Sequence, residues 1–288
     1  GDSQDTTFKV SEMAKKLKFP LKCVGIPKTV DNDLPYTDCS PGFGSVAKYI
    51  ATSTLEAGLD VKSMAETSTK VFILEVMGRH AGWIAAASCL AATKAGDPPH
   101  IILLPEVPFE KTKFITQVKQ TVKEQGYCVI VASEGTQTKN GKFLADSGLT
   151  DAFGHKQLGG VAPVLAGMIS KIGLKNHWAV ADYLQRSARH IASKTDLDQA
   201  YAVGEHAVKL AIAGKTALMP IIKRTSDSPY KWKIATAPLK NVANIEKTMP
   251  KKFISKNGFE ITQAGKTYLS PLIKGCLLYT SPSPRDTA

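Results

Sequence analysis

Lys28, Thr29, Asp31 and Asp33 stand within six residues of one another in Gly25-Ile26-Pro27-Lys28-Thr29-Val30-Asp31-Asn32-Asp33-Leu34. One cation and two carboxylates two residues apart supply a clamp on negative charge and a base for a hydroxyl, the two things phosphoryl transfer needs. The same residue types also build a plain polar Asp/Asn turn, and short patterns of this kind often match by chance. Three further places put a charge just behind an apolar run or a turn. Arg79 lies in Glu75-Val76-Met77-Gly78-Arg79-His80-Ala81-Gly82, where Gly78 and Gly82 let a backbone approach closely. Glu134 lies in Ala132-Ser133-Glu134-Gly135, and Arg186 in Ala181-Asp182-Tyr183-Leu184-Gln185-Arg186-Ser187. A planar guanidinium suits phosphate oxygens. The bland alternatives are a surface arginine in a Gly-Arg turn and a strand-end carboxylate.

These residues need elements to hold them. Leu21 to Ile26 is an apolar run that reads as a buried strand, stopped by Pro27. Before it, Val10, Met13, Ala14 and Leu17 recur at helical spacing, with Ser3 or Asp5 as the cap. Gly42 to Leu59 reads as a helix begun by Ser40 or Pro41 and ended at Gly58. Val71 to Val76, Ile101 to Leu104 and Cys128 to Ser133 read as strands. Between them lie an Ala-rich helix from Trp83 to about Lys94 and a second helix from Glu110 to Glu124, stopped by Gly126. Lys139 to Lys142 is a polar turn. Later come a helix from Asp196, its N-cap, to Ala213, with Gly214 as its end, and a strand from Ala217 to Ile222. Strand and helix alternate, which predicts an α/β fold: parallel sheet with helices on both faces. Loops after such strands are where ligands bind.

Composition sets the outer limits. The 288 residues are 43% hydrophobic and 22% charged, enough for a sizeable core in one large domain or two moderate ones. No run of about 18 apolar residues predicts a membrane span, and no signal peptide opens the chain. The five cysteines are scattered and odd in number, which fits reduced thiols in a cytoplasmic protein. The net charge of +12 suits anionic partners. The lysines form no basic stripe with interleaved aromatics, so a solvated basic surface is expected rather than nucleic-acid binding.

The first block resembles the G-[IV]-P-K-T-[IVM]-D-N-D-[LI] signature of the 6-phosphofructokinase family, particularly its pyrophosphate-dependent branch. Three more blocks agree and fall in the family's order: Glu75 to Gly82, Glu134-Gly135, and Ala181 to Ser187. Pro105-Glu106, and Met249 to Ile254 with Thr267 to Ile273, are similar to further family segments, so the resemblance spans about residues 2 to 275. It implies a two-domain α/β fold: residues up to about 43 and from about 187 to 275 in a phosphoryl-donor domain with its start missing, and 44 to 186 in the fructose-6-phosphate domain. At the start, Ser3 and Asp2 match the end of the family's Gly-rich donor turn, while Gly1 stands where the family has an acidic or amide residue. The chain therefore reads as N-terminally truncated. The Ser- and Pro-rich stretch 276 to 288 breaks character and reads as a non-native tail.

The resemblance implies transfer of a phosphoryl group from pyrophosphate to the 1-hydroxyl of fructose 6-phosphate, a reversible step of glycolysis, with Mg2+. Asp31 takes the part of general base. Lys28 clamps the donor's phosphates, and Asp33 steers the metal or the leaving phosphate. Thr29, Met77, Gly78, Arg79, Glu134, Tyr183 and Arg186 fall at substrate-binding positions. Asp2 and Lys28 stand where the donor is discriminated, an aspartate there repelling the α-phosphate of ATP. Lys70 falls where an arginine often reaches a neighbouring subunit's 6-phosphate, and His177 near another arginine position. Asp182 replaces a common glycine. A homo-oligomer, dimer or tetramer, is implied. The rival readings are an ATP-dependent member, a non-catalytic sugar-phosphate-binding regulatory subunit, and a basic nucleic-acid binder.

Overall fold

The computed structural model describes residues 2–150, 156–158 and 160–275. In chain order the elements are α1 (Asp2–Lys16), α2 (Phe43–Met64), β1 (Val71–Val76), α3 (Trp83–Ala87), β2 (Ile101–Leu103), α4 (Lys111–Gln125), β3 (Cys128–Ser133), β4 (Asp146–Thr150), β5 (Lys156–Leu158), α5 (Val161–Ser170), β6 (Asn176–Val180), α6 (Leu184–Ser187), α7 (Lys194–Ile212), β7 (Leu218–Asp227), β8 (Tyr230–Pro238) and α8 (Gln263–Leu269). The central sheet has the order β2-β3-β1-β6 and every pairing in it is parallel. The expected α/β class is therefore met.

β1 and β3 are the inner strands, and their largely apolar sequences, broken only by Glu75 in β1 and by Ser133 at the end of β3, are what two covered faces require. One face packs Leu74, Val76, Ile102 and Val131 against Phe43, Ile50 and Ile84. The other packs Ile73, Ile101 and Ile130 against Phe114, Val118, Leu165 and Ile169. Each such fully buried side chain is worth about 1.5–3 kcal/mol. The strands run in register, Val71 opposite Cys128 and Asn176, so β1 and β3 end together at Val76 and Ser133. That shared end sets the loops carrying Arg79 and Glu134 side by side.

Several expected boundaries move, each for a physical reason. α2 does not stop at Gly58 but continues to Met64. Gly58 is a packing glycine, because a Cβ there would come within 2.4 Å of Pro98 Cγ. Asp196 is not the N-cap of α7. Ser193 is, accepting from Asp196 N, and the Asp196 carboxylate instead receives Gly42 N at 2.8 Å, Ser45 N at 3.1 Å and Ser45 Oγ at 2.6 Å. It thus caps α2 from across the fold, where α2 has no side-chain cap of its own. α1 begins at Asp2, so Ser3 and Asp5 lie inside its first turn rather than capping it. Of its apolar stripe only Ala14 is buried; Val10 and Met13 are exposed, as is Leu17 just past its end. Polar contacts orient the helix instead, with Gln4 Nε2 donating to Ile26 O at 2.8 Å and Ser11 facing Thr216.

Residues 21–26 are extended but are not a buried strand. They bridge β7 at Val24 alone, through Gly25 N to Leu218 O and Ala217 N to Cys23 O, and both Leu21 and Ile26 are exposed. The Ala-rich helix ends at Ala87 and tightens into a 3-10 turn, where Ser88 Oγ donates back to Ala85 O. The strand expected at Ala217 to Ile222 is longer and is the first arm of an antiparallel hairpin with β8. Residue 1 and the stretch 276 to 288 lie outside the described residues. No helix among the described residues is long and apolar enough to cross a membrane.

Candidate active site

The residues after Pro27 form a tight loop whose centre is Asn32. Asn32 is fully buried with φ 56°, a left-handed conformation that asparagine tolerates. Its Nδ2 donates to Tyr268 Oη at 3.1 Å and its Oδ1 accepts from Ser40 N at 3.0 Å. Pinning Asn32 inward turns its two neighbours, Asp31 and Asp33, the other way. Thr29 Oγ1 accepts from Asp31 N at 3.1 Å and closes the turn.

The facing loops come from β1 and β3. Glu134 N donates to Val76 O at 2.9 Å, and Ser133 Oγ donates to Gly78 O. A Cβ at Gly135 would sit 1.9 Å from Arg79 O, so only glycine lets these loops lie in contact. The result is one cluster: Asp33, Glu134, Arg79 and His80 all lie close enough to Asp31 to act on its charge. The Asp31 carboxyl is pushed up to about 6, chiefly by burial and then by the charges of Asp33 and Glu134, with Arg79 and His80 opposing them. Burial also raises Glu134, against the pull of Arg79 and of a hydrogen bond from the Gly78 amide.

Three buried polar atoms of this cluster have no partner: Asp31 Oδ1, Asp33 Oδ1 and Arg79 Nε. Buried groups are nearly always paired, so two acceptors and a donor left open together describe a place for a polar ligand. Among the described residues no group of three or more His, Cys, Asp or Glu side chains could hold a metal alone. Mg2+ does not need one, since it binds through one or two carboxylates, waters and substrate phosphates. The free Asp33 oxygen fits that demand. A cavity of about 390 Å³ lies elsewhere, among Cys89, His100, Gln117 and Lys266, away from these charges.

The other expected site residues fall around this cluster or outside it. Met77 N donates to Gln185 Oε1 at 3.3 Å, tying the Arg79 loop to the segment 181–187. Asp182 has φ 38°, a left-handed conformation that glycine adopts without strain. Tyr183 is 62% exposed and carries the Arg186 guanidinium 4.1 Å from its ring centre, so these two stack on each other at the surface. Lys28 and Asp2 are exposed. Lys70 bonds to Ala65 O and Glu66 O just past the end of α2, and His177 is exposed on the edge strand β6.

Sequence reading missed the supports behind the loop. Lys247 Nζ donates to Thr37 O at 3.0 Å and Asp38 O at 2.9 Å. Burial lowers its ammonium to about 8. Arg224 Nε pairs with Asp38 at 3.0 Å, and Tyr268 Oη donates to Asp38 O at 2.5 Å.

Comparison with known proteins points to the same family as the motifs. The phosphofructokinase family model matches residues 2–211. Pyrophosphate–fructose 6-phosphate 1-phosphotransferase of Halomonas elongata is 64% identical over 276 residues, 96% of this chain and 66% of that relative. The crystal structure of a pyrophosphate-dependent phosphofructokinase from Marinobacter aquaeolei is 60% identical, with TM-score 0.86, and covers 96% of this chain and 66% of its own. The corresponding Nitrosospira multiformis structure is 54% identical, with TM-score 0.89, over 98% of this chain and 68% of its own. The chain thus spans about two thirds of the length of the relatives it matches. On its motifs, its fold and these likenesses, it belongs to the phosphofructokinase family.

Proposed function

We propose that this chain is part of a pyrophosphate-dependent enzyme that phosphorylates the 1-hydroxyl of fructose 6-phosphate, and runs the reverse reaction as well. The observation that carries the proposal is Asp31: a carboxyl held at about 6, with one oxygen unpartnered, beside the unpartnered Nε of Arg79. Near neutral pH such a group is ionised yet basic enough to take a hydroxyl proton, which is what a general base requires.

In the proposed mechanism Arg79, Arg186 and Glu134 hold the sugar phosphate and its hydroxyls, with the Gly78 backbone and Tyr183 beside them. Asp31 takes the proton of the 1-hydroxyl as its oxygen attacks phosphorus. The bond to the departing phosphate breaks, and Lys28 neutralises the charge that develops there. Asp33 would hold Mg2+, which when bound neutralises charge on the transferring group. The products are fructose 1,6-bisphosphate and inorganic phosphate, and Asp31 returns its proton to solvent.

The donor assignment is supported by the pyrophosphate-dependent relatives at 54–64% identity, and by Asp2 with Lys28, which disfavour the extra phosphate of ATP. In the same reading residues 1–43 and 187–275 serve the donor, residues 44–186 serve the sugar, and the protein is a cytoplasmic homo-oligomer. The test is formation of fructose 1,6-bisphosphate with Mg2+, pyrophosphate and ATP offered in parallel. Turnover with pyrophosphate alone is expected. Turnover with ATP alone would keep the family and overturn the donor assignment. Binding of fructose 6-phosphate with no turnover on either donor would favour a regulatory subunit.

A further inference from the structure

The segment 246–249 lies beyond the residues matched by the family model, yet it touches both halves of the cluster. Lys247 N donates to Asp33 O at 2.5 Å, while its ammonium holds Thr37 O and Asp38 O and approaches Asn32 Oδ1 at 3.5 Å. On the other side Lys247 O accepts from Trp83 Nε1 at 3.0 Å, and the ammonium lies 5.3 Å from the Trp83 ring centre. The neighbours of Lys247 repeat the pattern. Glu246 Oε1 meets His80 Nδ1 at 2.6 Å, and Met249 N donates to Glu106, whose carboxylate also accepts Gly82 N.

One short strap is therefore bonded to the loop that carries Asp31 and Asp33 and, at three points, to the loop that carries Arg79 or to its supports. Lys247 is the member bonded to both. From this double attachment we infer that Lys247 is a positioning residue that sets the distance between the Asp31 carboxylate and the Arg79 guanidinium. It does so with its backbone N–H and C=O as well as its ammonium. The inference rests on the phosphoryl-transfer reading of the cluster. Phosphate and sugar contacts stay with Arg79 and Glu134; Lys247 fixes where the base stands relative to them.

Removing the ammonium leaves Thr37 O without its donor and takes one of two donors from Asp38 O and from Asn32 Oδ1, so loop 29–40 loosens against loop 78–83. A displacement of about 1 Å between base and substrate costs roughly 10²-fold in rate. The experiment compares the full chain with Lys247→Met and with Trp83→Phe, which removes the indole donor instead. Backbone hydrogen exchange and pyrophosphate-dependent kinetics are measured on each. Lys247→Met is expected to raise exchange about tenfold or more in 29–40 and 78–83 while β3 stays protected. It is expected to lower kcat about 10²-fold with the KM for fructose 6-phosphate changed less than about threefold. Lys247→Arg, which keeps a donor, is expected to recover much of kcat. Trp83→Phe should show the same pattern more weakly, and it carries the test if the methionine variant does not fold. Unchanged exchange in both loops, or an intact kcat, would overturn the inference. If the parent chain itself fails to turn over, the proposed activity falls, and exchange alone still decides whether Lys247 couples the loops.

Discussion

Asp31→Asn should abolish most phosphoryl transfer and at the same time make the protein more stable. The rate loss follows from removing the base: general bases contribute about 10²–10⁴, and asparagine keeps the shape without accepting the proton. The gain in stability follows from where the carboxylate sits. Its pKa rises from the usual aspartate range to about 6 because burial, then Asp33 and Glu134, disfavour the charge. An acid whose folded pKa is raised is penalised once it ionises. That penalty is absent below about pH 4, grows between pH 4 and 6, and is complete above pH 6. At full size it corresponds to at most about 3 kcal/mol. Urea unfolding of both proteins at pH 8 and pH 4 checks this: asparagine is expected to stabilise at pH 8 and to make little difference at pH 4. A variant less stable than the parent at pH 8 would mean that Asp31 is held by favourable contacts rather than kept for chemistry.

Arg79→Ala is expected to have the second-largest effect, and it should appear in two observables. Charge-assisted hydrogen bonds are worth about 1.5–3 kcal/mol each, so KM for fructose 6-phosphate should rise about 10–100-fold. Arg79 also lowers the pKa of both Asp31 and Glu134. Without it both carboxyls should titrate higher than in the parent. Arg79→Lys separates the two effects. It keeps the charge, so the titrations should stay close to the parent's, but it loses the planar fork, so KM should remain raised. An alanine variant with parental KM would remove Arg79 from the sugar-phosphate site.

The catalytic loop was legible in sequence because its chemistry is contiguous: Lys28, Thr29, Asp31 and Asp33 need no tertiary contact to be noticed. Arg79 and Glu134 were legible because each follows an apolar strand, and β1 and β3 end together. The supports were not. Lys247 and Tyr268 act on Asn32 and Asp38 from more than 200 residues away, and no local pattern encodes such a contact. Asp196 misled for a related reason: a carboxylate near the start of a helix is expected to cap that helix, and here it caps another. β6 was invisible because, at the sheet edge, it carries His177 and Trp178 exposed and shows no apolar run. The apolar spacing announced α1 but not its buried face, which is Gln4, Ser11 and Ala14 while Val10 and Met13 are exposed.

The proposed chemistry turns on one group, Asp31, being a proton acceptor poised near neutrality. The most direct measurement is the titration of the Asp31 side-chain carboxyl by carbon NMR in the ligand-free chain, its resonance identified by its absence from the Asp31→Asn spectrum. An inflection near 6, moving upward in Arg79→Ala, is the predicted result. An inflection near 4, the value of a solvated aspartate, would contradict it, because Asp31 would then be an ordinary loop carboxylate in an Asp-Asn-Asp turn.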